Sequence, residues 1–172
     1  PAGLREQVLA VDVEPGLIDA YRGEDLFVDT HRELLREGFW LSSLDIGGTV
    51  RMKRATLQTL QLTDLYVYPA VRKSPCWCEA RYLRTLESLC ARNADSRSFA
   101  LLWVFAMMEG QWGYALDIAC SYEQRFGQDS VSPLLHNLPL RLITQKNRNV
   151  RSIIKRFIPR QFKQFLRRLV QG

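Results

Sequence analysis

The chain has 172 residues, 47% of them hydrophobic and 24% charged, which is enough apolar content for a core and excludes wholesale disorder. Its longest apolar run, Phe99 to Met108, is ten residues, half of what a membrane-spanning helix requires, and residues 1–11 show neither the basic start nor the apolar stretch of a secretory signal. The formal charge of +6 hides a split: residues 1–129 hold 14 bases and all 18 acids, whereas residues 130–172 hold ten bases and no acid.

In chain order, residues 8–14 alternate, with Leu9, Val11 and Val13 facing one way and Ala10, Asp12 and Glu14 the other, the pattern of a strand with one buried face. Pro15-Gly16 ends it, and Tyr21-Arg22-Gly23 continues as loop. Phe27, Leu34 and Leu35 then mark one face of a helix stopped by Gly38. Thr30 with Glu33 fits a capping box, and Asp25 or Asp29 offers an earlier cap. Phe39 to Ile46 reads as a second strand, with Gly47-Gly48 as its turn. Residues 49–68 suggest a further strand or two, at Met52–Arg54 and from Leu60 onward, interrupted by Pro69 and Pro75.

From Cys76 the expected period becomes helical, with Ala80, Leu83, Leu86, Leu89 and Cys90 on one stripe. Residues 98–108 and 114–126 form two more helices, read as an antiparallel hairpin across Glu109–Gly113. Ser132 to Pro139 is expected as loop or broken helix. From Asn149 a basic amphipathic segment begins, kinked or hinged at Pro159. The expected fold class is α+β or truncated α/β: a small sheet with a packed helix, then an α-helical region and a basic amphipathic tail. The expected divisions are residues 1–70, 76–129 and 130–172.

No complete catalytic apparatus is visible. Gly47-Gly48 lacks the third glycine and the strand-to-helix setting of a dinucleotide loop, and GxSxG, HExxH and P-loop lysine motifs are absent. Asp12 and Glu14, two apart on a strand, share a face and are the candidate carboxylates for sharing a proton or binding a cation; Asp64 is a weaker candidate. His31 could be a base but reads as a helix-surface or boundary histidine. Cys76 and Cys78 lie one residue apart, closer than zinc or thioredoxin-like spacing, so reduced thiols in a cytoplasmic protein and no metal site are expected.

In the tail, Arg151, Lys155, Arg156, Arg160, Lys163, Arg167 and Arg168 border the apolar residues Phe157, Phe162 and Phe165. Such a segment suits an anionic membrane surface, giving a peripheral location, or a protein partner. No base-reading motif points to nucleic acid. In the helical region, the spacing of Gly110, Trp112 and Ala115 resembles the central part of a tetratricopeptide repeat, without a second copy at its period.

Residues 8–70 as an ordered set resemble the C-terminal part of the FkbM methyltransferase family. The resemblance rests on the acidic strand with Asp12 and Glu14, on Tyr21 and Gly23, on the short helix from Phe27 to Glu37, and on Gly38-Phe39. The basic stretch Arg51–Arg54 and Thr63-Asp64-Leu65-Tyr66 follow as in that family. The resemblance implies a twisted α/β sheet that binds S-adenosylmethionine and methylates a hydroxyl on a sugar, glycan or lipid-linked acceptor, a carboxylate orienting or deprotonating that acceptor. It also implies that the cofactor-binding half lies upstream of residue 1. The present residues are then inactive alone, bind no cofactor tightly, and expose a sheet edge on which a homodimer can form. The alternative is a non-enzymatic protein-interaction or peripheral membrane-binding module.

Overall fold

The computed structural model describes residues 7–62 and 72–145. Asp64, most of the strand expected from Leu60, and the basic segment with Arg151, Lys155, Arg156, Phe157, Arg160, Phe162, Lys163, Phe165, Arg167 and Arg168 lie outside the described residues. The chain divides into two compact units, residues 10–85 and, in the other, the residues up to Leu9 together with those from Leu86 onward. The fold is mixed α+β: a three-stranded antiparallel-paired sheet followed by packed helices.

In the first unit, β1 (Ala10–Val13), α1 (Phe27–Arg36) and β2 (Phe39–Thr49) follow in the expected order. The third strand, β3 (Ser74–Arg84), lies between them and pairs antiparallel with both. β1 and β2 therefore run parallel to each other, joined through α1, with β3 slotted between.

That central strand overturns the helix expected from Cys76. Cys78, Ala80 and Tyr82 are fully buried on one face, while Trp77, Glu79 and Arg81 alternate with them. Towards its end Tyr82, Leu83 and Arg84 are all buried in succession. A strand enclosed on both faces loses its alternation there, and the three-residue spacing of Ala80, Leu83 and Leu86 then imitates a helical stripe. The helix begins only at α3 (Leu86–Ala91), which buries Leu89.

Gly47 and Gly48 likewise stay within β2 instead of turning it. A Cβ on Gly47 would collide with the Trp77 indole, and one on Gly48 with the Ser74 carbonyl oxygen. The glycines admit the neighbouring strand at close range, and the register shifts between them. Pro75 does not break the pattern either: it is the second residue of β3, opposite Gly48. The strand expected at Met52–Arg54 gives way to a short helix, α2 (Arg54–Thr59).

Helix α1 starts without a side-chain cap, so the boxes expected from Thr30, Asp25 or Asp29 are not formed. Its first N–H, on Phe27, donates instead to the Gly16 carbonyl at 2.8 Å, and the Gly16 N–H donates to Asp25 O at 2.9 Å. The loop backbone has taken the role of the cap. Gly38, at φ 83°, ends the helix as expected. Phe27, His31 and Leu34 form its half-buried face, whereas Leu35, expected inward, is 48% exposed.

The second unit is built on α4 (Ser96–Met108), α5 (Trp112–Phe126) and α6 (Ser132–Thr144), with α4 packed on α5 and α5 on α6. Asp95 caps α4, accepting the Ser98 N–H at 2.8 Å. Phe99, Leu102, Trp103, Ala106, Ala115, Ile118, Ala119, Leu135 and Leu142 make the core. Residues 132–139, expected as loop or broken helix, are continuous helix with Pro139 inside it. No helix among the described residues is long and apolar enough to cross a membrane.

Candidate functional site

The register of the sheet brings Asp12 of β1 directly opposite Arg81 of β3, and Asp45 of β2 opposite Glu79. The Arg81 guanidinium stands 3.3 Å from Asp12 Oδ2, 3.5 Å from Glu79 Oε2 and 3.9 Å from Asp45 Oδ2. One cation thus serves three carboxylates on an open sheet face, with the Asp12 side chain 64% exposed. Trp77 lies on the same face, over Gly47.

Asp12 and Glu14 are both exposed, on either side of half-buried Val13, as the alternation indicated. Asp12 and Glu14 are expected to share a proton or bind a cation together, and the carboxylates gathered with Asp12 around Arg81 are Glu79 and Asp45. Glu14 stands beyond the end of β1. Asp12 is thus an ion-paired carboxylate with its remaining acceptor capacity open to solvent on this face. Arg81, Asp45 and Glu79 escaped sequence reasoning because reading residues 76–84 as a helix turns Glu79 and Arg81 away from Asp12.

On the opposite face, His31 Nδ1 lies 3.1 Å from the Tyr82 hydroxyl, and its ring stacks on Phe27 at 5.2 Å between centroids. It is a boundary histidine, as expected. Burial, with the Cys78 thiol nearby, pushes the Tyr82 hydroxyl above its ordinary range. Burial raises Cys78 too.

Cys76 behaves differently. Its sulfur lies 3.4 Å from Thr49 Oγ1, and hydrogen bonds from the Thr49 side chain and backbone, with the Arg51 charge, hold the thiol below its ordinary value against a smaller desolvation effect. All four cysteines are free thiols. Among the described residues no group of three or more His, Cys, Asp or Glu is placed to hold a metal ion.

Two of the clefts on the helical unit are lined by polar side chains. One of about 420 Å³ is lined by Arg92, Asp95, Arg97 and Ser98 at the start of α4, floored by Leu89 and Leu101. The other, about 270 Å³, is lined by Glu123, Asp129, Ser132 and His136. There His136 Nε2 lies 3.0 Å from Glu123 Oε2, and Tyr122 donates to Asp129 Oδ2 at 2.7 Å. Burial and that bond to Asp129 push the Tyr122 hydroxyl up to about 12. Burial alone would raise Asp129, but hydrogen bonds from Tyr122, Val131 and Ser132 outweigh it and hold the carboxyl below its usual range.

These features define a mixed α+β protein with an Arg-centred carboxylate cluster on the open face of its sheet. No family model matches the chain, no curated protein matches it in sequence, and no solved structure matches its fold.

Proposed function

We propose that these residues are the terminal portion of an S-adenosylmethionine-dependent methyltransferase acting on a sugar, glycan or lipid-linked hydroxyl, its cofactor-binding half being supplied by sequence preceding residue 1. The observation that carries this reading is apolar surface left open on the sheet unit. Helix α1 buries no residue fully, and Val28 and Leu35, seven apart on one stripe, remain 54% and 48% exposed. Leu44 and Ile46 of β2 are 37% and 62% exposed. An amphipathic helix and a strand with that much uncovered apolar area suit a sheet that continues further.

In this reading the sulfonium of the cofactor supplies the activated methyl group. Asp12, fixed by Arg81, orients the acceptor hydroxyl, and the residues present do not methylate alone. Calorimetric titration with S-adenosylhomocysteine tests it, comparing this chain with one extended by the preceding coding sequence. Saturable binding by the extended chain alone is the expected result. Binding by this chain below about 100 µM, about 5–6 kcal/mol, sinks the terminal-portion reading, and no binding by either sinks the enzyme.

A second reading, a protein-interaction module, draws on the helical unit, where α4, α5 and α6 share a core that includes Phe99, Ile118 and Leu142. Specific capture of one partner by residues 86–172, with no cofactor binding by the extended chain, would favour it.

A further inference from the structure

Trp77 of β3 lies between two glycines, paired with Gly47 of β2 and bridged to Gly16 in the loop after β1. A Cβ on Gly47 would run into Cδ2, Cε2 and Cζ2 of the indole, atoms across its ring junction and not at its rim. The indole therefore rests one flat face on the Gly47 backbone. Its other face looks outward, and the residue is 41% exposed. On the Gly16 side, the carboxyl of Glu24 occupies the place of the missing side chain. One rung along the sheet, about 7 Å away, Asp45 and Glu79 stand opposite each other. Asp45 is the most loosely held of the carboxylates around Arg81, 3.9 Å from it with its side chain 72% exposed. A flat aromatic surface is thus held open to solvent with acids on two sides.

We propose that this platform binds an arginine side chain from a basic segment of a partner protein, the guanidinium stacked on Trp77 and forked to Asp45 or Glu79. This goes beyond the methyltransferase reading and does not rest on it. Charge complementarity selects the occupant. Asp12, Glu79 and Asp45 share the guanidinium of Arg81, and Glu24 adds a further carboxylate. Such a face repels a phosphate backbone and attracts cations. The negative face of an indole draws the same ligands. A single flat wall then discriminates among them. A planar guanidinium stacks on it and keeps its N–H fork for a carboxylate, whereas a lysine ammonium offers only a point charge. Quaternary ammonium groups are held by cages of several rings. A neutral sugar ring also stacks on an indole, but leaves the surplus negative charge unanswered.

The test is calorimetric titration of the full chain with a short peptide of alternating arginine and glycine, with its lysine–glycine counterpart, and with maltohexaose, from about 0.05 M to about 0.5 M salt. Saturable binding of the arginine peptide is expected, at least about fivefold tighter than the lysine peptide and weakening as salt rises. Trp77→Ala is expected to weaken it about tenfold and Trp77→Phe by less, and Asp45→Asn about fivefold. Asp29→Asn, an equal change of charge on α1, should leave affinity within about twofold. Circular dichroism and urea midpoints check that each variant is folded, and Asp45→Asn, at an exposed position, carries the test should Trp77→Ala unfold. No saturable binding of the arginine peptide at low salt overturns the proposal. So does binding that folded Trp77→Ala and Asp45→Asn leave unchanged, equal affinity for the two peptides, or tighter binding of maltohexaose that Trp77→Ala abolishes.

Discussion

The Trp103 indole N–H donates to the Leu135 carbonyl at 3.1 Å, deep in the helical unit. That carbonyl is the one Pro139 leaves without a donor, since a proline four residues on has no N–H to return. Trp103 on α4 therefore satisfies a gap in α6 and makes a buried internal proline tolerable.

Trp103→Phe is expected to lower stability by about 2–4 kcal/mol, combining lost packing with a buried carbonyl left unsatisfied. In a Pro139→Ala background the helix regains its own donor, so the same change should cost about 1 kcal/mol less. Urea unfolding of the four proteins measures the coupling. Additive effects would show that the bond does not compensate for the proline.

Gly48→Ala is expected to destabilise the sheet by about 2 kcal/mol or more, because the added methyl meets the Ser74 backbone. Gly47→Ala meets the Trp77 side chain, which can move. Its cost should fall when combined with Trp77→Ala, whereas the cost at Gly48 should not. Thermal melting of the single and double variants distinguishes the two.

The Tyr122–Asp129 pair predicts losses of stability at both ends of the pH scale. Tyr122 ionises near 10 when unfolded and at about 12 in the fold. The unfolded state therefore releases its proton first, and stability falls as pH rises from about 10, by at most about 3 kcal/mol. Asp129 is depressed in the fold, so its contribution is present above the unfolded value of about 3.9 and is lost as pH falls through the folded one. Tyr122→Phe should flatten the alkaline limb of a urea-midpoint profile, and Asp129→Asn the acid limb.

Cys76 is expected to react with iodoacetamide with a midpoint below that of an ordinary free thiol, and Thr49→Val should raise that midpoint. Cys78, fully buried, should stay unmodified until the protein unfolds. Peptide mass spectrometry over a pH series reads both. Equal labelling of Cys76 and Cys78 in the native protein would contradict the arrangement around Thr49.

Wherever one residue's neighbours along the chain were sufficient, the elements were legible. The alternation around Val11, the half-buried face of α1 at Phe27, His31 and Leu34, its stop at Gly38, and the unbroken apolar run of α4 all announced themselves. Phe27 found its cap partner in the backbone of Gly16, eleven positions back, which no local rule for Thr30 or Asp29 registers. Pro139 read as a break because its missing donor is visible in sequence and Trp103 is not.

The candidate site divided the same way. The amino-acid sequence by itself determined that Asp12 and Glu14 are exposed on either side of Val13, and that positive charge without acids gathers after residue 130. Local spacing and composition are sufficient for both. Only the tertiary structure decided that residues 74–84 are a central strand, that Gly47-Gly48 is a close approach, and that Asp12 meets Arg81 across 69 positions of chain. The reason is physical: a strand's partners are chosen by pairing and burial between distant segments, and the short-range pattern at Ala80 and Leu83 serves a helix or an enclosed strand equally well.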